Sequence, residues 1–75
     1  MIAVAKKSHV RNSIRRLRFE HGEMTQQELA QRIGVTRQTI VAIEKEKYSP
    51  SLEAAFRIAR VFGEPLEAVF RYEAD

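Results

Sequence analysis

A three-residue interruption between two short helix-like segments constrains the fold more than any other feature of this chain. Gly34, Val35 and Thr36 separate "TQQELAQRI" from "RQTIVAIE". Because glycine tolerates positive φ, Gly34 allows the chain to turn sharply. The apolar side chains around the turn recur at helical spacing; they are Leu29, Ile33, Val35, Ile40 and Ile43. We therefore predict two short helices that cross at a steep angle, with the small Ala30 where they approach each other.

Capping residues, prolines and glycines divide the rest of the chain into further short helices. Thr25 is followed three residues later by Glu28, which is the pattern of a capping box. Ser51 follows Pro50 and can cap the next helix, whose predicted apolar face contains Leu52, Ala55, Phe56, Ala59 and Phe62. The predicted helices span residues 13–21, 26–33, 37–46 and 52–62, and a one-turn helix begins at residue 65.

The two ends of the chain carry weaker signals. "FRYEA" alternates apolar and polar residues, and such a short strand could pair with the region of Val10. Residues 1–9 lack a clear pattern, and we interpret them as a flexible extension. The sequence thus predicts an all-α, five-helix domain over residues 10–75, with a short terminal β-ribbon as an option.

Length and composition restrict the class of protein. With 75 residues the chain is long enough for one small domain. A domain of this size buries only about 60% of its unfolded surface, so a dimer partner would help to stabilise it. The absence of cysteine excludes disulfides and thiolate metal sites and fits a cytoplasmic setting. No apolar run approaches the length of a membrane span.

Positive charge is concentrated at the start of the chain. Residues 1–22 contain six lysines and arginines against Glu20 alone, whereas the last third is mildly acidic. A basic end of this kind suggests a polyanionic partner such as nucleic acid. The alternative is a solvated helix face. Lys6 and Lys7 could form a basic arm, and Arg15 and Arg16 could contact a nucleic-acid backbone if the first helix faces it.

The segments "TQQELA", "GVTRQTI", "IEK" and "PSLEAAFRIARVF" resemble the motifs of the Cro and phage-repressor (XRE-like) helix-turn-helix regulators, in particular the short single-domain ones. The resemblance covers residues 10–73. It implies a lambda-repressor-like fold of five helices. It also implies binding of an operator in double-stranded DNA by a homodimer, on a near-palindromic site, with the helix 37–46 in the major groove.

The resemblance implies that Arg37, Gln38 and Thr39 contact bases. Gln can bond adenine through two hydrogen bonds, and Arg can do so with guanine. The alternative is that these are merely exposed residues near a helix cap, and Thr36 in particular can be the cap itself. Ala42 stands where phage relatives carry a further polar side chain, so this chain could depend more on DNA shape.

The resemblance also implies contacts to the DNA backbone and one internal ion pair. The backbone candidates are Gln26, Thr36, Lys45, Lys47, Tyr48 and Ser49, and each has an ordinary surface role as its alternative. Glu44 lies next to the apolar Ile43 and needs a partner if it is buried. The matching partner is Arg18, although one extra residue separates Arg18 from Thr25 compared with many relatives.

An apolar cluster near the C-terminus offers a dimer interface. Pro65, Leu66 and Val69 are the candidates that the resemblance suggests, whereas Phe70 fits the core better. The alternative is that all four residues complete the core of the monomer.

Other function classes have less support. His9 and His21 are the only histidines, and no phosphate-binding glycine loop or carboxylate pair is visible. We therefore expect no enzyme activity, no cofactor and no metal site. The main alternative is an antitoxin-like or partner-docking interaction module on the same fold. A long extension that wraps a partner would favour that alternative, and residues 1–9 are short for this purpose.

Overall fold

The computed structural model describes residues 9–73 and confirms the predicted fold class. Five helices follow one another, and a two-stranded ribbon joins the two ends of the described chain. The elements are β1 (Val10–Asn12), α1 (Ile14–Glu20), α2 (Gln26–Ile33), α3 (Arg37–Glu44), α4 (Leu52–Phe62), α5 (Leu66–Val69) and β2 (Phe70–Tyr72). Residues 1–8, which form most of the predicted flexible extension, and residues 74–75 lie outside the described residues.

The terminal ribbon is antiparallel. Val10 is opposite Tyr72 and Asn12 is opposite Phe70. Beyond the last pair, the Glu73 N–H donates to the carbonyl oxygen of His9 at 2.9 Å. His9, which we expected in the flexible extension, therefore takes part in the ribbon.

The turn between α2 and α3 has the geometry that Gly34 was expected to provide. Gly34 adopts φ 78°, in the left-handed region. Its N–H and that of Val35 both donate to the carbonyl oxygen of Ala30, at 2.9 and 3.0 Å. These bonds satisfy an orphan carbonyl at the end of α2 and direct the chain into α3.

The capping box at the start of α2 is complete. The Glu28 N–H donates to the Thr25 hydroxyl oxygen at 3.0 Å, and the Thr25 N–H donates to the Glu28 carboxylate at 2.7 Å. The hydrogen bond from the Thr25 backbone is the main cause that lowers the pKa of Glu28 below its usual value.

The third helix is shorter than predicted. It ends at Glu44 instead of residue 46, because Glu46 adopts a left-handed φ of 63°. The Glu46 N–H then donates to the carbonyl oxygen of Ile43 at 2.9 Å, and the Lys47 N–H donates to that of Ala42 at 3.1 Å. Lys47, Tyr48 and Ser49 consequently lie in the loop after the helix.

A single apolar core joins all five helices. Its largest fully buried side chains are Ile14, Leu29, Ile40, Ile43, Ile58 and Val69. The face of α4 differs from the prediction, because Ala55, Ile58, Ala59 and Phe62 turn inward. Leu52 and Phe56, which we placed on the buried face, are 69% and 49% exposed.

Replacing Gly34 with alanine should destabilise the protein through backbone strain. The new Cβ would have room, since its nearest neighbour is Arg57 Nη1 at 3.7 Å. The left-handed conformation should still cost about 1–2 kcal/mol of unfolding free energy. Urea unfolding at one fixed protein concentration measures this loss. Gln31→Ala, on the exposed side of α2, is the control and should stay within about 0.5 kcal/mol. Equal stability of both variants would contradict the argument.

Candidate nucleic-acid interface

The four polar residues at the start of α3 divide into two pairs with different surroundings. Thr36 is the N-cap, and its hydroxyl oxygen accepts from the Thr39 N–H at 3.2 Å. The two threonine hydroxyl oxygens are also 3.0 Å apart and share a hydrogen bond. One of the two hydroxyl protons serves this bond, so the other is available to an external acceptor. Thr36 therefore caps α3, and the Thr36–Thr39 pair still has one hydroxyl proton for an external acceptor.

The side chains of Arg37 and Gln38 have no partner within the protein. Both are exposed, and neither side chain makes a hydrogen bond or ion pair within residues 9–73. The buried residues of α3 are Ile40 and Ile43. With 3.6 residues per turn, Gln38 lies on the side opposite these two side chains, and Arg37 lies at the edge of that side. Their full hydrogen-bonding capacity therefore faces outward at the first turn of the helix.

An ion pair between Arg18 and Glu44 connects α1 to α3, at the positions that the resemblance implied. Arg18 Nε donates to Glu44 Oε2 at 2.7 Å, and Arg18 Nη2 donates to Oε1 at 3.0 Å. The side chains are only 14% and 9% exposed. This is a bidentate guanidinium–carboxylate pair, which fixes the relative orientation of the two side chains as well as their distance.

Two further contacts of this pair were not predicted. Arg18 Nη1 donates to the carbonyl oxygen of Met24 at 2.8 Å, and Gln26 Nε2 donates to Glu44 Oε1 at 3.2 Å. The first of these bonds holds the loop that contains the extra residue. The second orients Gln26 at the start of α2 and leaves its other amide proton for an external acceptor. No pattern in the sequence signals either contact.

Asn12 links the start of α1 to the end of α3. Its Oδ1 accepts from the Ile14 N–H at 3.1 Å, which satisfies the first N–H of α1. Its Nδ2 also donates to the carbonyl oxygen of Ile43 at 2.9 Å. The end of α3 is thus attached to the start of α1 as well as to Arg18.

The remaining backbone candidates surround the end of α3. Lys45, Lys47, Tyr48 and Ser49 are all exposed. Neither lysine forms an ion pair in the described part of the chain. The nearby carboxylate of Glu46 lies 3.5 Å from Arg11, and that arginine also pairs with Glu73. The positive charge of the two lysines is therefore not neutralised locally.

The candidate dimer residues do not share one environment. Pro65 is exposed and Leu66 is half-buried, but Val69 is 1% exposed in the monomer core. The Val69 side chain is buried by packing within one subunit, so it offers little surface to a second copy. Leu66 instead lines a surface groove of about 270 Å³ together with Val10, Ser49, Pro50, Leu52, Ala55 and Phe70. Phe70, expected in the core, is 9% exposed.

Residues 9–73 contain no group of three or more side chains that could hold a metal ion. None of the helices in this range is long and apolar enough to cross a membrane. His21 has a structural position. Its Nδ1 lies 2.8 Å from the carbonyl oxygen of Leu17 and its Nε2 lies 3.1 Å from that of Phe62, so the ring connects the ends of α1 and α4.

Comparison with known proteins identifies relatives over most of the chain. A helix-turn-helix family model matches residues 14–69. The chain is 50% identical over 66 residues to an uncharacterised helix-turn-helix-type transcriptional regulator of Methanocaldococcus jannaschii, covering 88% of this chain and 98% of that protein. A similar regulator of Methanothermobacter thermautotrophicus is 55% identical over 67 residues, covering 88% and 96% of the two chains.

A phage protein and a solved structure extend these similarities. The transcriptional repressor RstR of the cryptic phage CTXphi of Vibrio cholerae is 40% identical over 55 residues, which cover 73% of this chain and 49% of the repressor. A crystal structure of a Bacteroides fragilis protein assigned to DNA binding superposes with a TM-score of 0.70 and 21% identity, covering 83% of this chain and 98% of that one. This likeness supports the fold.

Breaking the Arg18–Glu44 pair from one side should destabilise the protein strongly. Arg18→Met leaves a nearly buried carboxylate whose remaining side-chain partner is Gln26, and we expect a loss of about 3–5 kcal/mol in unfolding free energy. The double variant Arg18→Met, Glu44→Leu should recover most of that loss, because no charge is then stranded. Urea unfolding of both variants measures the difference.

The exposed pair of Arg16 and Glu20 on the same helix provides the matched control. Its atoms are 3.0 Å apart, but the side chains are 58% and 49% exposed. Arg16→Met should therefore cost less than about 1 kcal/mol. If Arg18→Met costs no more than Arg16→Met, the anchoring role of the inner pair is wrong.

Proposed function

The chain belongs to the XRE-type helix-turn-helix family, and we propose that it is a transcriptional repressor that binds a specific sequence in double-stranded DNA. The observation that carries the proposal is the pair of uncommitted side chains, Arg37 and Gln38, at the outward first turn of α3. We infer a role in transcriptional regulation from the relatives, which are named as helix-turn-helix-type regulators. We infer the repressor role from the similarity to the phage repressor RstR.

In the proposed complex, α3 lies in the major groove and its first turn contacts base edges. Gln38 suits adenine and Arg37 suits guanine, in each case through two hydrogen bonds. Thr39 is half-buried and bonded to Thr36, so its contact is restricted to the remaining hydroxyl proton or its methyl group. The anchoring of α3 by Arg18 supports this use, because a base-reading helix must be held rigidly to discriminate between sequences.

The DNA backbone would be contacted on both sides of the reading turn. The second amide proton of Gln26 and the free N–H groups at the start of α2 suit one phosphate. The unpaired Lys45 and Lys47 suit others. Tyr48 and Ser49 can add hydroxyl donors from the loop after α3. Thr36 can add the one free hydroxyl proton of the Thr36–Thr39 pair where Thr39 contacts a base through its methyl group. These contacts would set the position of the protein without specifying sequence.

The protein would act as a homodimer on a near-palindromic operator. The apolar groove that contains Leu66 is bordered by Leu52, which is 69% exposed, and Phe56 lies one turn further along α4 with 49% exposure. Burying these side chains against a second copy would remove apolar surface from water. A two-fold axis there would place two α3 helices on successive major grooves, about 34 Å apart. Pro65 would lie at the border of this interface.

The same exposed apolar face favours one alternative function, an antitoxin-like or partner-docking module. A different protein would then cover Leu52 and Leu66. The two functions differ in their response to salt, because DNA binding weakens steeply with salt concentration through counterion release. Docking of an apolar protein surface lacks this steep dependence.

Selection from random DNA duplexes tests the proposed function directly. At about 0.15 M salt, the native protein should enrich a near-palindromic site. Gln38→Ala should lose the preference at one symmetric pair of positions, with a loss of about 1–3 kcal/mol in discrimination there. Gln31→Ala, on the opposite side of α2 from its buried residues, should enrich the unchanged site. No enrichment with the native protein would reject sequence-specific binding.

Sedimentation without DNA tests the proposed dimer. Leu52→Glu places a charge on the proposed interface and should raise the dimer dissociation constant about 10-fold or more, which corresponds to about 1.4 kcal/mol. Phe19 on α1 is likewise 69% exposed, so Phe19→Glu is a matched control that should leave the constant unchanged. A monomeric native protein, or equal effects of both variants, would contradict this interface.

A further inference from the structure

A broad groove runs between α1 and the region where α2 begins and α3 ends. It has a volume of about 1010 Å³, and the polar and charged side chains that line it include Arg15, Arg16, Arg18, Gln26, Glu44 and Lys45. Two of these residues, Gln26 and Lys45, are already candidates for contacts to the DNA backbone. The groove therefore continues the proposed DNA surface onto α1, which lies outside the helix-turn-helix unit.

The charges of the groove are only partly neutralised. Arg18 is paired with Glu44, and Arg16 Nη1 lies 3.0 and 3.1 Å from the two carboxylate oxygens of Glu20. Arg15 and Lys45 are exposed and have no ion pair or hydrogen-bonded partner in the described part of the chain. Two unpaired positive charges thus line the groove, Arg15 on α1 and Lys45 directly after α3.

Apolar surface accompanies these charges. The groove is also lined by Phe19, which is 69% exposed, and by the half-buried Val41 of α3. A nucleic-acid strand presents anionic phosphates joined by sugars with apolar C–H surfaces. The combination of unpaired cations and exposed apolar side chains suits such a strand better than a small free anion.

We infer that this groove takes the phosphate backbone of the bound DNA and that Arg15 contacts a phosphate there. The inference rests on the proposed function, and it assigns to α1 a part in DNA binding. Arg15 would act independently of sequence, because a phosphate carries the same charge beside every base. Arg16 would contribute less, since Glu20 already neutralises its guanidinium.

The salt dependence of binding separates this role from a structural one. Each phosphate neutralised contributes about −0.9 to the slope of log K against log salt concentration. Arg15→Gln should therefore reduce the steepness of that slope by about 0.9 per subunit. The reduction should be the same on the selected operator and on a scrambled duplex. Arg15→Lys, which keeps the charge, should retain the slope of the native protein.

The experiment is a fluorescence titration of both duplexes with the full chain, at several salt concentrations between about 50 and 200 mM. Arg60→Gln is the matched control, because Arg60 is exposed on α4, has no ion pair within residues 9–73 and does not line the groove. It removes the same charge and should leave the slope unchanged. Urea unfolding should show equal stability for the Arg15 and Arg60 variants.

The possible failures are distinguishable. If the native protein binds its operator and Arg15→Gln has the same slope as Arg60→Gln, the groove inference is overturned and the proposed function stands. A change confined to the operator would also overturn it, because a phosphate contact cannot depend on base sequence. If the native protein binds neither duplex, the proposed function fails and the groove inference fails with it.

Discussion

The ion pair between Arg18 and Glu44 is the interaction on which the arrangement of this surface depends. It spans 26 positions of the sequence and joins α1 to the end of α3 through two hydrogen bonds. The Met24 carbonyl and the Gln26 amide complete the coordination of the two charged groups. A nearly buried pair of this kind need not add net stability. Its value here is geometric, because it sets α3 relative to α1 and to the start of α2.

The same network links the interior of the protein to its proposed DNA surface. Gln26 is held by a carboxylate that is itself held by Arg18, so the three side chains are positioned together. The amide of Asn12 adds a second attachment between α1 and the end of α3. The first turn of α3, by contrast, is left with two uncommitted side chains. Rigid support at one end and free hydrogen-bonding groups at the other are the two requirements of a base-reading helix.

Two of the surface grooves differ in chemistry. The larger one carries unpaired cations from α1 and from Lys45, directly after α3, and the smaller one carries apolar side chains from β1, α4, α5 and β2. The first is suited to a polyanion and the second to another apolar surface. In the proposed function, DNA and a second copy of the chain would therefore contact different residues of this small domain.

Local signals in the sequence determined the helices and their order. Thr25, Thr36 and Ser51 each accept a hydrogen bond from the backbone of the helix that follows, because a cap acts on residues two or three positions away. Gly34 was identifiable for the same reason. The position of Gln38 opposite the buried residues of α3 also follows from helical periodicity, and the resemblance to known regulators supplied the pair of Arg18 and Glu44.

Only the tertiary structure decided which apolar and charged residues face outward. Periodicity groups Leu52 and Phe56 with Ala55 and Phe62, but the packing of α4 buries only part of that stripe. Val69 could equally have faced a second copy, and its burial depends on elements distant in sequence. Arg15, Gln26 and Lys45 likewise line one groove only because the tertiary structure holds α1 next to the start of α2 and the end of α3. Sequence patterns report neighbours along one element, whereas burial and long-range contacts arise when the elements pack together.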